Sequence, residues 1–320
     1  MTFSSPISAP RPINTVQGPI PYGDLGITDC HNHLWIDPVP GADPSSPVLD
    51  QFEQIMMDIE EFSLAGGQSI MDCQPEGCGR NGLKLLELSQ RSGVNVIACT
   101  GFHRKKYYPK DHWLFNKRAQ KVCDFLCSEL GTGLFETLET EKPVKAGFIK
   151  IALEAVWSDC PISALEGTAQ AAKQTGCLVA IHTEKGALAE KACLFFTDAG
   201  VSASQLVLCH MDKRPDHGLH KELARLGVLL EYDTFYRPKY KPQGNLWPLI
   251  DFMAKNGLSE SVALATDMAE IELYRHPGGG PGLASLPGEI RSGLASRGID
   301  TRSIENMLGA NIARRLAGLN

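Results

Sequence analysis

Leu25-Gly26-Ile27-Thr28-Asp29-Cys30-His31-Asn32-His33 is the stretch that decides between the two folds open to this chain. It reads as a short buried strand running into a loop. In a doubly wound sheet the first strand is followed by a glycine-rich phosphate loop of the form Gly-x-Gly-x-x-Gly. Here the strand ends instead in two histidines two residues apart. On an extended strand residues i and i+2 point the same way, so both imidazoles can converge on one metal ion.

Seven further β-rich runs follow: Gln68–Cys73, Asn95–Thr100, Gly147–Ala152, Leu178–His182, Gln205–His210, Val228–Asp233 and Val262–Asp267. Most are continuously apolar, as expected of parallel strands covered on both faces. Between them lie stretches with apolar residues every three to four positions. Leu49–Ala65, Ile162–Gln174, Glu184–Ala199 and Lys221–Leu226 read as helices, and Ser303–Leu316 as a final one. Eight strands alternating with helices predict a (β/α)8 TIM barrel of class α/β. With 320 residues and 43% hydrophobic content, one large barrel is expected over residues 21–320, preceded by a Pro-rich lead-in over residues 1–20.

Composition excludes several classes of function. A formal charge of −6 gives no footprint for nucleic acid or an anionic membrane surface. No run reaches the roughly 18 apolar residues of a membrane span. Met1–Pro21 has five prolines and no apolar core of a leader, and ten cysteines accompany it, so free thiols in a reducing cytoplasm are expected. Cys73 with Cys78, and Cys123 with Cys127, lack the second pair that a structural zinc site needs.

Five of the eight runs carry a residue able to bind a metal. His31 and His33 end the first, His182 the fifth, His210 the sixth and Asp267 the eighth, while Lys150 sits amid the apolar fourth. A barrel gathers its C-terminal strand ends at one mouth, where active sites are built. A buried ammonium beside cations is costly, so the Lys150 pKa is expected to fall. The neutral amine can then take up carbon dioxide as a carbamate bridging two metals; pairing with Glu154 or Asp267 is the bland alternative. The expected ligand split is His31, His33 and Asp267 on one divalent ion and His182 and His210 on the other, with Lys150 between. Zinc, manganese, cobalt or iron suits these donors. A metal-bridging hydroxide would attack the substrate, with Asp267 taking the proton.

These residues resemble the phosphotriesterase family of the amidohydrolase superfamily, in its lactonase branch. Thr15-Val16-Gln17-Gly18-Pro19-Ile20 with Leu25–His33 is similar to that family's opening signature, and Ala146–Ala152 to its carboxylated-lysine strand. The spacings of 32 residues from Lys150 to His182 and 28 from His182 to His210 also fit. The resemblance implies a two-metal hydrolase of lactones, with phosphotriesters as side substrates, and suggests a homodimer. Asn32 departs from the Glu more usual between the histidines. Asp233-Thr234 stands where phosphotriesterases carry a proton-shuttling His, which points to lactones over organophosphates.

Substrate contacts are expected from the loops. Tyr107 and Tyr108 resemble a pocket-shaping lactonase segment. Arg237, Lys239 and Lys241 form a basic, aromatic stretch, and Arg275 precedes a glycine-rich turn. Such cations at the mouth of an acidic protein suit a phosphate or carboxylate, so a small sugar or sugar-phosphate lactone is the expected substrate. An aryl esterase, a phosphotriesterase or an amidase would use the same centre, and a ligand-binding protein without turnover is the non-enzymatic alternative.

Overall fold

The computed structural model describes residues 9–319. A small antiparallel hairpin comes first, β1 (Ile13–Thr15) and β2 (Gly18–Ile20). Eight parallel strands follow: β3 (Thr28–Asn32), β4 (Ser69–Asp72), β5 (Asn95–Gly101), β6 (Phe148–Ala152), β7 (Val179–His182), β8 (Leu206–Cys209), β9 (Leu229–Tyr232) and β10 (Val262–Leu264). Each pairs with its sequence neighbour in a ladder running β3 to β10. The helices between them are α1 (Phe52–Leu64), α2 (Gly82–Ser92), α3 (Ala119–Gly131), α4 (Ile162–Thr175), α5 (Ala189–Asp198), α6 (His217–Arg225) and α7 (Leu246–Lys255). This is the (β/α)8 barrel that the alternation predicts.

The seam between β3 and β10 is closed by side chains. Asp29 accepts from the backbone N–H of Thr266 at 3.2 Å and from its hydroxyl at 2.5 Å, and the Asp267 N–H donates to the His31 carbonyl at 2.9 Å. Burial raises the Asp29 carboxyl to about 6 despite these bonds. Of the lead-in, residues 1–8 lie outside the described residues. The hairpin is tied to the barrel, with the Val16 N–H donating to Val96 O at 2.8 Å.

Two expected helices differ from what forms. Glu184–Ala199 shortens to α5, because Lys185 and Leu188 adopt left-handed conformations that no helix admits. Ser303–Leu316 is broken into Thr301–Glu305, a wide turn over Asn306–Ala310, and Asn311–Leu316. Gly309 lies at the break, where a Cβ would come within 2.0 Å of the Gly26 carbonyl. Close approach of the segment leading into β3 therefore overrides helical periodicity there.

His220 shows how burial acts away from the mouth. On α6 its Nε2 donates to the Arg214 carbonyl at 2.9 Å, and its Nδ1 accepts from the Tyr232 hydroxyl at 2.7 Å. Burial lowers its pKa to about 4. The unfolded chain takes up this proton near pH 6.5 while the folded chain does not until about pH 4, so His220 withdraws stability as pH falls through that window. A His220→Phe variant loses the titration. Its stability deficit relative to the parent is expected to shrink by about 3 kcal/mol between pH 7 and pH 4, taking 1.36 kcal/mol per pKa unit. Urea melts at several pH values measure this, and a constant difference contradicts it.

Candidate metal centre

The local backbone aims the mouth residues. His31 and His33 leave β3 two residues apart, and His182 ends β7. His210 and Asp267 follow β8 and β10 in left-handed conformations, with φ of 64° and 47°. Such conformations cost energy in non-glycine residues and persist where the surroundings enforce them. They turn both side chains out of the strand direction and into the mouth. Lys150 is central in β6, opposite Gly101 of β5. A Cβ on Gly101 would sit 1.8 Å from the Lys150 carbonyl, so only glycine lets the two strands meet at this level.

His31, His33, Lys150, His182, His210 and Asp267 are brought together. His31 Nε2 lies 2.9 Å from Lys150 Nζ and 3.8 Å from Asp267 Oδ1, and His33 Nε2 lies 3.7 Å from the same oxygen. His210 Nε2 and His182 Nδ1 approach to 2.8 Å. Glu154 pairs with Arg104, not with Lys150.

Behind the histidines stand groups that fix their tautomers. His31 Nδ1 donates to Glu231 at 2.8 Å, His33 Nδ1 to the Gln74 side-chain oxygen at 2.7 Å, and His210 Nδ1 to Asp233. Each bond leaves the Nε2 lone pair turned inward, the arrangement that orients metal-binding histidines. Glu231 and Asp233 thus sit on the outer side of the rings they hold. Glu231 was not singled out from the sequence, and Asp233 only as a residue standing in place of a proton-shuttling His, although their i, i+2 spacing along the seventh run repeats that of His31 and His33.

Electrostatics keep these donors available. Burial lowers His33 to about 3 and His182 to about 4, and drives His31, His103 and His210 well below the imidazole value, so all are neutral at pH 7. Burial alone would raise the Asp267 carboxyl. The cations Arg237 and Lys213 overcome it and hold the group below the ordinary carboxylate range. For Lys150, burial lowers the ammonium while the carboxylates Glu231 and Asp267 act the other way, and among the protein's own groups the net direction is upward. The fall expected from the sequence rests on metal cations beside the amine.

The mouth opens into a cavity of about 410 Å³. His103 packs on its wall between His182 and Tyr107, with ring centroids at 5.2 and 4.6 Å. Arg104, Lys106, Lys213, Arg237 and Lys239 supply cations. Arg104 is committed to Glu154 and Glu184, and Arg237 to Asp267 and Glu270. Lys213 and Lys239 lie 5.2 and 5.3 Å from the Tyr240 ring centre. Among the described residues neither has a carboxylate within ion-pair distance.

Tyr108, Lys241 and Arg275 fall outside this wall. The Tyr108 hydroxyl turns away to accept from the His103 N–H at 2.9 Å. Lys241 is exposed just past the turn at Pro238–Tyr240. Arg275 lies 3.4 Å from Glu61 of α1 on the outside of the barrel. A second cavity, of about 430 Å³ between Gln68, Leu308 and Arg314, carries no histidine or cysteine.

The donor set fits divalent metals. Neutral imidazole nitrogens and one ionised carboxylate converge in the protonation states that bind a cation, and Lys150 has to give up its proton to join them. His31, His33 and Asp267 each offer an atom within 4.8 Å of the others, and His182 Nε2 is buried with no partner.

Comparison with known proteins agrees. A phospho-furanose lactonase of Mycoplasmopsis synoviae is 30% identical over 95% of this chain and 91% of its own. The solved structure of an amidohydrolase from Mycoplasma synoviae, 28% identical, superposes with a TM-score of 0.88 over 97% of this chain and 93% of that one. A lactonase from Listeria monocytogenes, 23% identical, shares the fold with a TM-score of 0.87 over 97% of this chain and all of that one. The model of the phosphotriesterase family matches residues 11–316, and the chain belongs to that family.

Proposed function

We propose that this protein is a metal-dependent lactonase that opens a small, hydrophilic lactone bearing a phosphate. The observation that carries the phosphate is the pair of ammonium groups, Lys213 and Lys239, that line a cavity floored by neutral histidines, neither of them held in an ion pair among the described residues. The name of the Mycoplasmopsis synoviae relative supports the same substrate class.

His31, His33 and Asp267 would hold one divalent ion and His182 and His210 the other, with Lys150 as a carbamate between; zinc suits the donors, as do manganese, cobalt and iron. Bound there, the ions supply Lewis-acid polarisation of the ester carbonyl and acidify the attacking water. The chain's own groups do the rest. Asp267 accepts the proton of the attacking water and returns it to the leaving alkoxide. Arg237 grips Asp267 Oδ2 at 3.2 Å, leaving Oδ1 facing His31 and His33. Glu231, Gln74 and Asp233 keep the imidazoles from rotating. The product hydroxy acid adds a carboxylate, which the cationic rim can accommodate. Ten free thiols support a reducing, cytoplasmic setting.

Metal analysis combined with a pH-indicator screen of phosphorylated and plain lactones, aryl esters, amides and phosphotriesters tests the reading. Turnover of phosphorylated lactones at least about tenfold above the plain ones is expected, and preference for any other class overturns it. Arg237 has its own signature. Arg237→Met removes the cation that lowers Asp267, so the Asp267 pKa rises and the ionised carboxylate persists only at higher pH. The acidic limb of kcat/KM is expected to move upward by about 1–3 pH units, with activity on the alkaline side and metal content little changed. An unmoved limb shows that Arg237 does not set the state of Asp267.

A further inference from the structure

Of the mouth imidazoles assigned to metal, His31, His33 and His210 have the outer ring nitrogen held by an acceptor: Glu231, Gln74 and Asp233 respectively. His182 is the exception. Its Nδ1 faces His210 Nε2 at 2.8 Å, which makes Nδ1 the nitrogen turned toward a shared ion and Nε2 the outer one. The outer nitrogen is buried and has no hydrogen-bond partner. When Nδ1 lends its lone pair to an ion, the single proton of the neutral ring sits on Nε2. A buried N–H left there without an acceptor costs free energy.

The carboxylate in reach of it is one that the proposed chemistry leaves unused. Glu184 Oε2 lies 3.9 Å from His182 Nε2, and among the described residues no other carboxylate comes within ion-pair distance of that ring. Glu184 stands two residues past the end of β7, on a turn whose backbone is pinned. The Thr183 hydroxyl donates to the Cys209 carbonyl at 2.7 Å and accepts from the Gly186 N–H at 3.1 Å, and the Ala187 N–H donates to the Glu184 carbonyl at 3.1 Å. Arg104 donates to Glu184 Oε2 and, through its Nε, to Glu154 at 3.0 Å. A carboxylate oxygen has two lone pairs, so Oε2 can accept from Arg104 and from His182 together. The Glu184 side chain is 29% exposed and free to turn, and a rotation closes the gap of about 1 Å to an ordinary hydrogen bond without moving the backbone.

We propose that Glu184 is the positioning residue of His182: its carboxylate, held by Arg104, accepts the Nε2–H and so fixes the tautomer in which Nδ1 is turned toward His210. The inference rests on the two-metal reading and deepens it. Its consequence falls on one ion of the two. His182 and His210 bring two nitrogens of their own, against three donors from His31, His33 and Asp267, so the ion they hold depends more on how firmly each ring is set. The feature required of Glu184 is an acceptor oxygen rather than a charge. Gln74 already shows this at His33, where an amide oxygen does for one ring what the Glu231 carboxylate does for His31.

The test is stepwise metal binding. Zinc titrations of the metal-free protein against a competing chelator give the affinity of each ion, and elemental analysis gives the count. Glu184→Ala is expected to weaken the more loosely held ion about 10–100-fold and to leave the tighter one within about twofold. Glu184→Gln keeps an acceptor oxygen and is expected to bind the looser ion within about fivefold of the parent. If Glu184 served Arg104 alone, the alanine and glutamine variants would behave alike. The Tm of the metal-free variants should match that of the metal-free parent, because the side chain is half-exposed. Imidazole nitrogen NMR of the zinc-loaded parent gives a readout that needs no variant: His182 is expected to carry its proton on Nε2. Unchanged binding in Glu184→Ala, equal weakening of both ions, equal losses in the two variants, or a His182 proton on Nδ1 overturns the inference. The two readings fail distinguishably. A parent that takes up only one ion refutes the two-metal reading and the role of Glu184 with it, while a parent that takes up two and is matched by Glu184→Ala refutes the role of Glu184 alone.

Discussion

Asp267→Asn is expected to lower kcat/KM by about 10³-fold or more while leaving the protein folded. The substitution is nearly isosteric, and asparagine is among the residues that best tolerate a left-handed backbone, so the φ of 47° at this position does not penalise it. What is lost is charge. The amide cannot accept the proton of an attacking water, and general-base catalysis of this kind contributes about 10²–10⁴-fold. It is also a poor anionic donor beside His31 and His33, whose Nε2 atoms lie 3.8 and 3.7 Å from Oδ1. Arg237 keeps Glu270 at 3.3 Å and the Asp267 backbone carbonyl, so the guanidinium is not stranded by the change. Steady-state kinetics with metal analysis on the same preparation separate the two losses. A variant that keeps its metal and loses activity identifies proton transfer as the role of Asp267. More than a tenth of parent activity would assign the proton to another group.

How much of this was legible in the chain follows from what each element depends on. Continuous apolar runs gave all eight barrel strands to within a few residues, because strands covered on both faces leave little ambiguity of period. The mouth residues at strand ends were readable for the same reason: a polar residue closing an apolar run has to be explained. Asp29, Glu231 and Asp233 were harder. They lie inside or beside runs that otherwise look like core, and a buried carboxylate declares its role only through a partner some 200 residues away, as Glu231 does with His31. Loop residues were the least legible. Tyr108 and Tyr107 are adjacent in sequence, yet one is buried under His103 and the other faces the cavity, a distinction set by the turn at Lys105–Tyr107. Arg275 and Lys241 carried the right charge, but the path of their loops takes them away from the mouth. The break at Gly309 likewise depends on the approach of Gly26, which no local pattern encodes.

Lys150→Met separates stability from function most sharply. The ammonium is fully buried in β6, with His31 Nε2 at 2.9 Å. Methionine matches the length of the stem and packs without a polar atom. Replacing a buried charged group by an apolar one of similar volume is often neutral or stabilising, although here the carboxylates Glu231 and Asp267 lose a compensating cation. Burial already raises Glu231 to about 7, so that carboxyl can take up a proton in place of the lost charge at little cost near neutrality. The metal-depleted variant should therefore melt within a few degrees of the metal-depleted parent. Its metal content tells a different story. If a carbamate on Lys150 joins the His31–His33–Asp267 set to the His182–His210 set, its loss leaves the latter with two nitrogens alone, too few to retain an ion. Metal per chain is expected to fall from two to one or fewer, with kcat/KM down about 10³-fold. Differential scanning calorimetry and elemental analysis on matched samples decide it. A variant that still holds two ions and turns over substrate would place the bridge elsewhere, whereas one that fails to fold even when metal-free would make Lys150 a structural cation.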